Sequence, residues 1–244
     1  MTAPYLRASI RSPSGLAVLL RERAPSWAAP TVAGSAAAFL ALALLVALGL
    51  TRGIDLATTL AFQSIASEPL DLAVNWHTLL GQLVVTLAAA ALLALVAWRR
   101  FGGYAWLAPL FILATGGIEL VFKFVLQHPG PPEELTREFM NPLGIRVHAP
   151  SSFPSGHLAR LSFLAVLVAG MFPSRAAWTA ALAFAAFTLF ARVYIGDHWI
   201  SDALAGLALG AGAAAAAVAW LRATRAGPVR APSRPLARRP APPG

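Results

Sequence analysis

Long apolar runs are the feature that most constrains how this chain can fold. Several of them carry about 20 residues with few charges, the length that an α-helix needs to cross the hydrocarbon core of a bilayer. The whole chain agrees, since 58% of its 244 residues are hydrophobic, 12% are charged and the mean hydropathy is +0.67. This composition excludes an ordinary soluble domain. The predicted spans cover residues 28–50, 77–98, 104–126, 158–172, 176–195 and 199–221.

We therefore predict an all-α integral membrane protein, a bundle of six transmembrane helices that forms one domain over residues 28–221. A basic segment over residues 1–27 precedes it. The first run starts late and lacks a cleavage site, so we interpret it as a retained span and not as a signal peptide. Residues 222–244 are rich in Pro, Arg and Ala and lack an apolar period, which predicts a disordered tail.

The distribution of basic residues predicts the orientation of the bundle. The formal net charge is +9, and the arginines lie mainly beside apolar runs and in the C-terminal tail. That placement favours membrane orientation over nucleic-acid binding, because basic residues near span ends mark the cytoplasmic side. With six spans, Arg99, Arg100, Arg175 and both terminal segments fall on one side. Both termini are thus predicted to be cytoplasmic, and the outer loops are residues 51–76, 127–156 and 196–198.

Three polar stretches fall at the predicted outer surface, at residues 123–132, 151–160 and 192–202. Although they belong to different helices, they share one membrane depth and could meet in a single pocket. The first begins with Lys123, the only lysine among 19 basic residues, placed inside an apolar run. It is either a snorkelling residue near a helix end or a compact cation directed at a polar site.

The third stretch combines an imidazole, a carboxylate and a guanidinium. His198 and Asp202 are four residues apart, which places them on one face of a helix. A carboxylate there can accept the imidazole N–H and leave the other nitrogen basic. The alternative is ordinary helix-end polarity, with Asp197 as an N-cap. Arg192 weakens that alternative, because an intramembrane charge costs about 2.5–3.5 kcal/mol and needs a partner such as an anion.

The second stretch carries Ser155, Gly156 and His157 directly before an apolar run. Backbone N–H groups at a helix N-terminus favour anions, and glycine lets the main chain approach a ligand closely. Together with the cations, these groups can hold a phosphoryl group. Two histidines can divide the chemistry, one attacking phosphorus and one protonating the leaving alkoxide. The chain has no cysteine, no P-loop and no obvious metal-ligand cluster, so we expect metal-independent chemistry without a cofactor.

At these residues the sequence resembles the type 2 phosphatidic acid phosphatase (PAP2) superfamily. The family pattern is KxxxxxxRP, then PSGH, then SRxxxxxHxxxD. PSGH is complete at residues 154–157, and the third motif matches at Arg192, His198 and Asp202, with Ala191 where the family often has Ser. The three motifs occur in order and cover roughly residues 123–202.

The resemblance implies a role for each matching residue. His198 would be the nucleophile, Asp202 its orienting partner and His157 the general acid for the leaving group. Phosphate would be bound by the remaining matches, which are Lys123, Ser155, Gly156 and Arg192.

The first motif departs from the family pattern, because Gly130 stands where the motif has Arg. Another arginine could replace the missing guanidinium, and the order of preference is Arg137, Arg160 and Arg146. Arg160 lies one helical turn beyond His157 on the same face. The alternative for Arg137 is a loop charge paired with a nearby glutamate, and for Arg146 a solvated loop residue is favoured.

Three further residues lie near these motifs. Glu119 is four residues before Lys123 and could pair with it, either to position the lysine for phosphate or as a purely structural contact. His128 and His148 are interpreted as loop residues near the entrance of the pocket.

These features predict a lipid phosphatase in the cell membrane with its active site on the extracytoplasmic face. The substrate would be an isoprenoid diphosphate, phosphatidic acid or phosphatidylglycerol phosphate, hydrolysed through a phosphohistidine. Two alternatives remain at the level of the sequence. The phosphoryl group could pass to an alcohol acceptor, or the missing Arg could leave a lipid-phosphate binder or transporter without hydrolysis. Six spans argue against a soluble haloperoxidase-like relative.

Overall fold

The computed structural model describes residues 24–139 and 150–224. These residues form eight α-helices and contain no β-strand. Short 3₁₀ segments lie at Ala105–Phe111, directly before the fifth helix, and at Glu133–Leu135 in the loop that follows it. The helices are α1 Ala28–Ala47, α2 Arg52–Gln63, α3 Glu68–Leu80, α4 Leu83–Phe101, α5 Ile112–Val125, α6 Gly156–Met171, α7 Arg175–Tyr194 and α8 Ile200–Thr224.

Five helical segments of the described chain are long and apolar enough to cross a membrane. They are α1, α4, α7, α8 and the continuous segment Ala105–Val125 that ends with α5. The predicted fourth span is α6, which is apolar but has 16 residues. Large apolar side chains such as Leu92, Val125 and Leu182 are more than 60% exposed on the outer surface, as expected for helices that face lipid.

The second predicted span is wrong at its start. The apolar run from residue 77 is divided between α3 and α4, because α3 ends at Leu80 and Gln82 has extended backbone angles. The segment predicted as the loop 51–76 contains α2 and most of α3. The sequence carries a signal for α3, since Glu68, Pro69 and Asp71 occupy its first turn, where proline and acidic residues are favoured.

Helix α8 is the centre of the bundle and packs mainly against α6 and α1. Glycine makes the close approach to α6 possible. A Cβ added to Gly206 would lie 2.4 Å from the carbonyl oxygen of Ser155, and one added to Gly210 would lie 2.2 Å from that of Ala159. Small residues at such crossings let two membrane helices pack backbone to backbone. This contact fixes the start of α6 against the start of α8.

The segment after α5 is tied to α3 and to the ends of α2 and α7. Gln63 donates one side-chain N–H to Leu135 O and one to Tyr194 O, both at 2.8 Å. Arg137 N donates to Ile195 O at 2.8 Å, and Asn75 Nδ2 donates to Arg137 O at 3.1 Å. These bonds hold residues 135–137, just beyond the first polar stretch, beside the loop that joins α7 and α8.

Candidate active site

The polar stretch before α6 forms one wall of a buried polar cluster. Ser155 is the N-cap residue of α6, and its backbone N–H donates to Asp202 O at 3.0 Å. The Oγ of Ser155 and the Nε2 of His157 are buried, and neither has a hydrogen-bond partner in the part of the chain that the structure describes. Buried polar atoms without partners are costly, so these two atoms indicate a place for a polar ligand.

The loop between α7 and α8 brings the second imidazole to this place. His198 is buried, its Nδ1 lies 3.5 Å from Asp202 Oδ2, and its Nε2 faces the other way, 3.5 Å from Asp197 Oδ2. Burial lowers the pKa of His198 well below its usual value, and the positive charges of Arg192, Lys123 and Arg160 lower it further. A neutral imidazole with Nδ1 turned to a carboxylate has Nε2 available as a base or nucleophile.

Three cations surround the two imidazoles. Arg160 Nη1 donates to Glu119 Oε2 at 3.0 Å, and Lys123 Nζ lies 4.0 Å from Glu119 Oε1, so one carboxylate holds both. Arg192 is almost fully buried and reaches Thr78 Oγ1 at 3.3 Å and the carboxylate of Asp197. The glutamate therefore pairs with the lysine, as the spacing of four residues suggested, and with the arginine as well.

Glu119 also packs against the start of α6. A Cβ on Gly156 would lie 2.1 Å from Glu119 Oε1, so glycine leaves room for this carboxylate in its present position. Since Glu119 holds Lys123 and Arg160 beside the first turn of α6, the two cations and the helix N-terminus face the same position.

Arg137 pairs with Asp71 and not with Glu119 or Asp197. Its Nε and Nη2 donate to the two carboxylate oxygens of Asp71 at 2.8 and 2.5 Å, and its guanidinium stands over the Tyr194 ring. The Arg137 hydrogen bonds lower the pKa of Asp71, and the same bonds raise the pKa of Arg137. Arg160 therefore lies close enough to act electrostatically on His198, whereas Arg137 is paired with Asp71, the reverse of the order of preference expected from the sequence.

The position of the missing motif arginine does face the cluster. A Cβ on Gly130 would lie 3.4 Å from Ser152 Cβ and 4.0 Å from Asp197 O. Arg146 and His148 lie outside the described residues.

His128 is not at an entrance, which corrects the interpretation drawn from the sequence. It is 6% exposed, and its Nε2 lies 3.4 Å from Asp202 Oδ1 and 3.9 Å from Asp55 Oδ2. Asp55, on α2, is 1% exposed. In the sequence, Asp55 is recognisable only as an acidic residue beside an apolar run, which does not indicate a buried contact with His128. Within the described ranges, no group of three or more His, Cys, Asp or Glu side chains is arranged to hold a metal ion.

Gly81 is a further residue that the sequence did not indicate. It ends α3 with ordinary helical angles, and a Cβ placed on it would lie 2.3 Å from His157 Cδ2. Its carbonyl oxygen also accepts a hydrogen bond from Arg160 Nη2 at 3.2 Å. The His157 ring thus packs directly against the backbone of Gly81.

Gly81→Ala is expected to displace the His157 ring by about 1 Å and to lower turnover about 100-fold, since a shift of that size costs that much in a preorganised site. The thermal unfolding midpoint should change little, because the backbone angles suit any residue. Gly117→Ala is the matched control, since a Cβ there meets nothing within 4 Å. Equal turnover of the two variants, measured in detergent, would contradict this role for Gly81.

Comparison with known proteins identifies a family and a similar fold. The PAP2 superfamily model matches residues 104–226, half of the chain. The structure is similar to the crystal structure of the first transmembrane PAP2 type phosphatidylglycerolphosphate phosphatase from Bacillus subtilis, with a TM-score of 0.64. The two chains share 20% identity, and the match covers 75% of this chain and 92% of that chain. No curated protein sequence matches the chain.

The family match contains all three polar stretches, and the similarity to a solved member extends over most of the helical bundle. With its long lipid-facing helices, this chain is a multi-pass membrane protein that belongs to the PAP2 superfamily.

Proposed function

We propose that the protein is a membrane lipid phosphatase that hydrolyses a phosphomonoester or diphosphate through a phosphohistidine. The observation that carries the proposal is that three cations and two imidazoles meet around Ser155 Oγ and His157 Nε2, two buried atoms without a hydrogen-bond partner among the described residues. Such a cluster matches a phosphoryl group in charge and in hydrogen-bond donors.

The reaction divides between the two imidazoles. His198 Nε2 attacks phosphorus, the bond to the leaving oxygen breaks, and a proton on His157 Nε2 passes to that oxygen. His157 then accepts a proton from water, whose oxygen attacks the phosphohistidine and releases phosphate with His198 restored. In the reaction Asp202 Oδ2 accepts the Nδ1–H of His198, a hydrogen bond that forms when the 3.5 Å between these atoms shortens, and it keeps Nε2 in line with the phosphorus.

Phosphate is bound by Lys123, Arg160, Arg192, the Ser155 hydroxyl and the backbone N–H of Gly156. The carboxylate of Asp197 contacts Arg192 and lies near His198 Nε2, so an incoming phosphoryl group displaces it from these two groups. Arg137, although predicted as a phosphate ligand, anchors the loop after α5 through Asp71 in this proposal.

The active site lies on the extracytoplasmic face of the cell membrane. The basic residues near the span ends support cytoplasmic termini and a six-span layout, in which α6 is the short fourth span. The lipid tail enters sideways between helices while its headgroup occupies the cluster. The similar solved structure is a phosphatidylglycerolphosphate phosphatase, so this lipid is the first to test, beside phosphatidic acid and isoprenoid diphosphates.

Phosphate release from at least one of these lipids is expected to persist in excess chelator, because Lys123, Arg160 and Arg192 supply the charge that a metal would otherwise provide. The measurement is inorganic phosphate release by purified protein in mixed micelles, with and without EDTA. Loss of turnover in EDTA that added divalent metal restores would contradict the mechanism.

The same reaction tests the two alternative functions. Phosphate recovered on an added alcohol, with little free phosphate, identifies a phosphotransferase. Saturable lipid binding without any product across the panel identifies a binder or transporter.

Arg160→Ala is expected to lower kcat/KM by about 100-fold, the effect of removing one charge-assisted phosphate contact at about 3 kcal/mol. Arg137→Ala is the matched control. It should keep kcat/KM within about threefold while lowering the thermal unfolding midpoint, because it releases the loop from Asp71. Equal losses of kcat/KM would overturn the choice of Arg160 as the replacement guanidinium.

A further inference from the structure

Asp202 uses its two carboxylate oxygens differently. Oδ2 accepts hydrogen bonds from Ser152 Oγ at 2.7 Å and Trp199 N at 3.0 Å, and it is the oxygen that faces His198. Oδ1 is buried and has no hydrogen-bond partner among residues 24–139 and 150–224. The ring nitrogen Nε2 of His128, a possible donor, lies 3.4 Å from it.

His128 is fixed where it can serve this oxygen. Its carbonyl oxygen accepts from Ser152 N at 2.8 Å and from Ser152 Oγ at 3.1 Å, so the serine that contacts Asp202 also holds the backbone of His128. Its Nε2 is buried and, in the described chain, makes no hydrogen bond of good geometry. An Nε2–H that moves a few tenths of an ångström reaches Oδ1, with no change in the backbone.

Asp55, on α2, approaches the same ring nitrogen of His128. Its Oδ1 accepts from Ser201 N at 3.0 Å, and its Oδ2 accepts from Ser201 Oγ at 3.1 Å and lies 3.9 Å from His128 Nε2. The carboxylate therefore ties α2 to the first turn of α8, next to Asp202. Its charge also favours the His128 tautomer with the proton on Nε2, the atom that faces both carboxylates.

We infer that His128 is a positioning residue for the proposed reaction. It donates Nε2–H to Asp202 Oδ1 and, together with Asp55, fixes the carboxylate that orients His198. This inference rests on the proposed function. The groups that face His128 are Asp55 from α2, Asp202 from α8 and Ser152 from the loop before α6. None of them touches the phosphate, so the pair acts through Asp202. Partners of this kind behind a catalytic ligand fix its orientation and its tautomer.

His128→Leu and His128→Gln test the inference as a pair. Glutamine places an N–H near the position of Nε2, whereas leucine fills the space without a donor. The leucine variant is expected to lose about 10- to 100-fold in kcat. KM for the lipid and inhibition by inorganic phosphate should stay unchanged, because the phosphate ligands are untouched. The glutamine variant should recover kcat to within about threefold of the native protein. A glutamine variant as impaired as the leucine variant, or a leucine variant with native kcat, would overturn the inference.

A second readout does not depend on turnover. The ¹⁵N spectrum of histidine-labelled protein reports which ring nitrogen of His198 carries the proton. The native protein should show the proton on Nδ1, and His128→Leu should show a mixture of tautomers. Asp55→Asn, which keeps an acceptor for Ser201 N, is a second variant expected to move the signal in the same direction. An unchanged His198 signal in both variants overturns the inference even if no lipid is hydrolysed, whereas a shifted signal without turnover points to failure of the proposed function alone.

Discussion

His198→Ala should lower phosphate release by at least about 10⁴-fold, the largest effect expected of any single substitution in the site. In the proposed mechanism alanine removes the atom that forms the bond to phosphorus, and loss of a nucleophile that acts with a base and an orienting partner has effects of this size. Binding of inorganic phosphate should persist, because Lys123, Arg160 and Arg192 remain. The measurement is initial phosphate release from the preferred lipid, together with a competition assay for phosphate binding.

His77→Gln is the matched control. This histidine bonds Thr188 Oγ1 at 2.9 Å and packs against Phe184 and Phe187, so it belongs to the contact between α3 and α7. Its replacement should leave turnover within a few-fold. An acid-labile phosphoryl adduct should form on the native protein and be absent in His198→Ala. An adduct that survives in His198→Ala would move the nucleophile to another residue.

Gly206→Val is expected to give the largest loss of stability. Even the Cβ of alanine at this position would lie 2.4 Å from Ser155 O and 3.3 Å from Ala159 N, which are backbone atoms that cannot rotate away. Overpacking of a tight core costs about 1–3 kcal/mol, and a branched side chain against a backbone exceeds that range. The substitution should also separate α8 from the start of α6, so that Ser155 and His157 move away from His198.

The thermal unfolding midpoint in detergent and the turnover are measured for Gly206→Ala and Gly206→Val. The alanine variant should lie between the native protein and the valine variant in both quantities. Gly34→Ala is the control, because a Cβ on this residue of α1 meets nothing within 4 Å. A native midpoint for Gly206→Val would show that the helices adjust their crossing, and it would contradict the role of glycine at this contact.

The sequence predicts those parts of the site that depend on local spacing. Ser155 and His157 before an apolar helix, and His198 four residues before Asp202, are short-range patterns, and the structure brings them together. The choice between Arg137 and Arg160 is different, because both are arginines near the motifs. Only the tertiary contact of Arg137 with Asp71 separates them, and Asp71 lies 66 residues away along the chain.

The same reasoning explains what was missed in the fold. Hydropathy does not register the helix end at Gly81, because apolar residues continue on both sides of it. His128 is buried beside Asp55 and Asp202, which lie on separate helices. No sequence pattern links these two aspartates, so the sequence does not predict their contact with His128. The role of a glycine can be assigned only when its neighbours are known. Gly81 leaves room for the His157 ring, and Gly156 leaves room for the Glu119 carboxylate.

The length of α6 has a consequence for what can reach the site. At about 1.5 Å per residue its 16 residues extend about 24 Å, less than the roughly 30 Å of hydrocarbon in a bilayer. If the Met171 end lies at one boundary of the hydrocarbon and the helix stands upright, its Gly156 end lies about 6 Å short of the other. Under the proposed function, a phosphate bound there would lie slightly below the headgroup layer, within reach of an ester whose tail is dissolved in the membrane. Such a depth would favour amphiphilic esters over water-soluble ones.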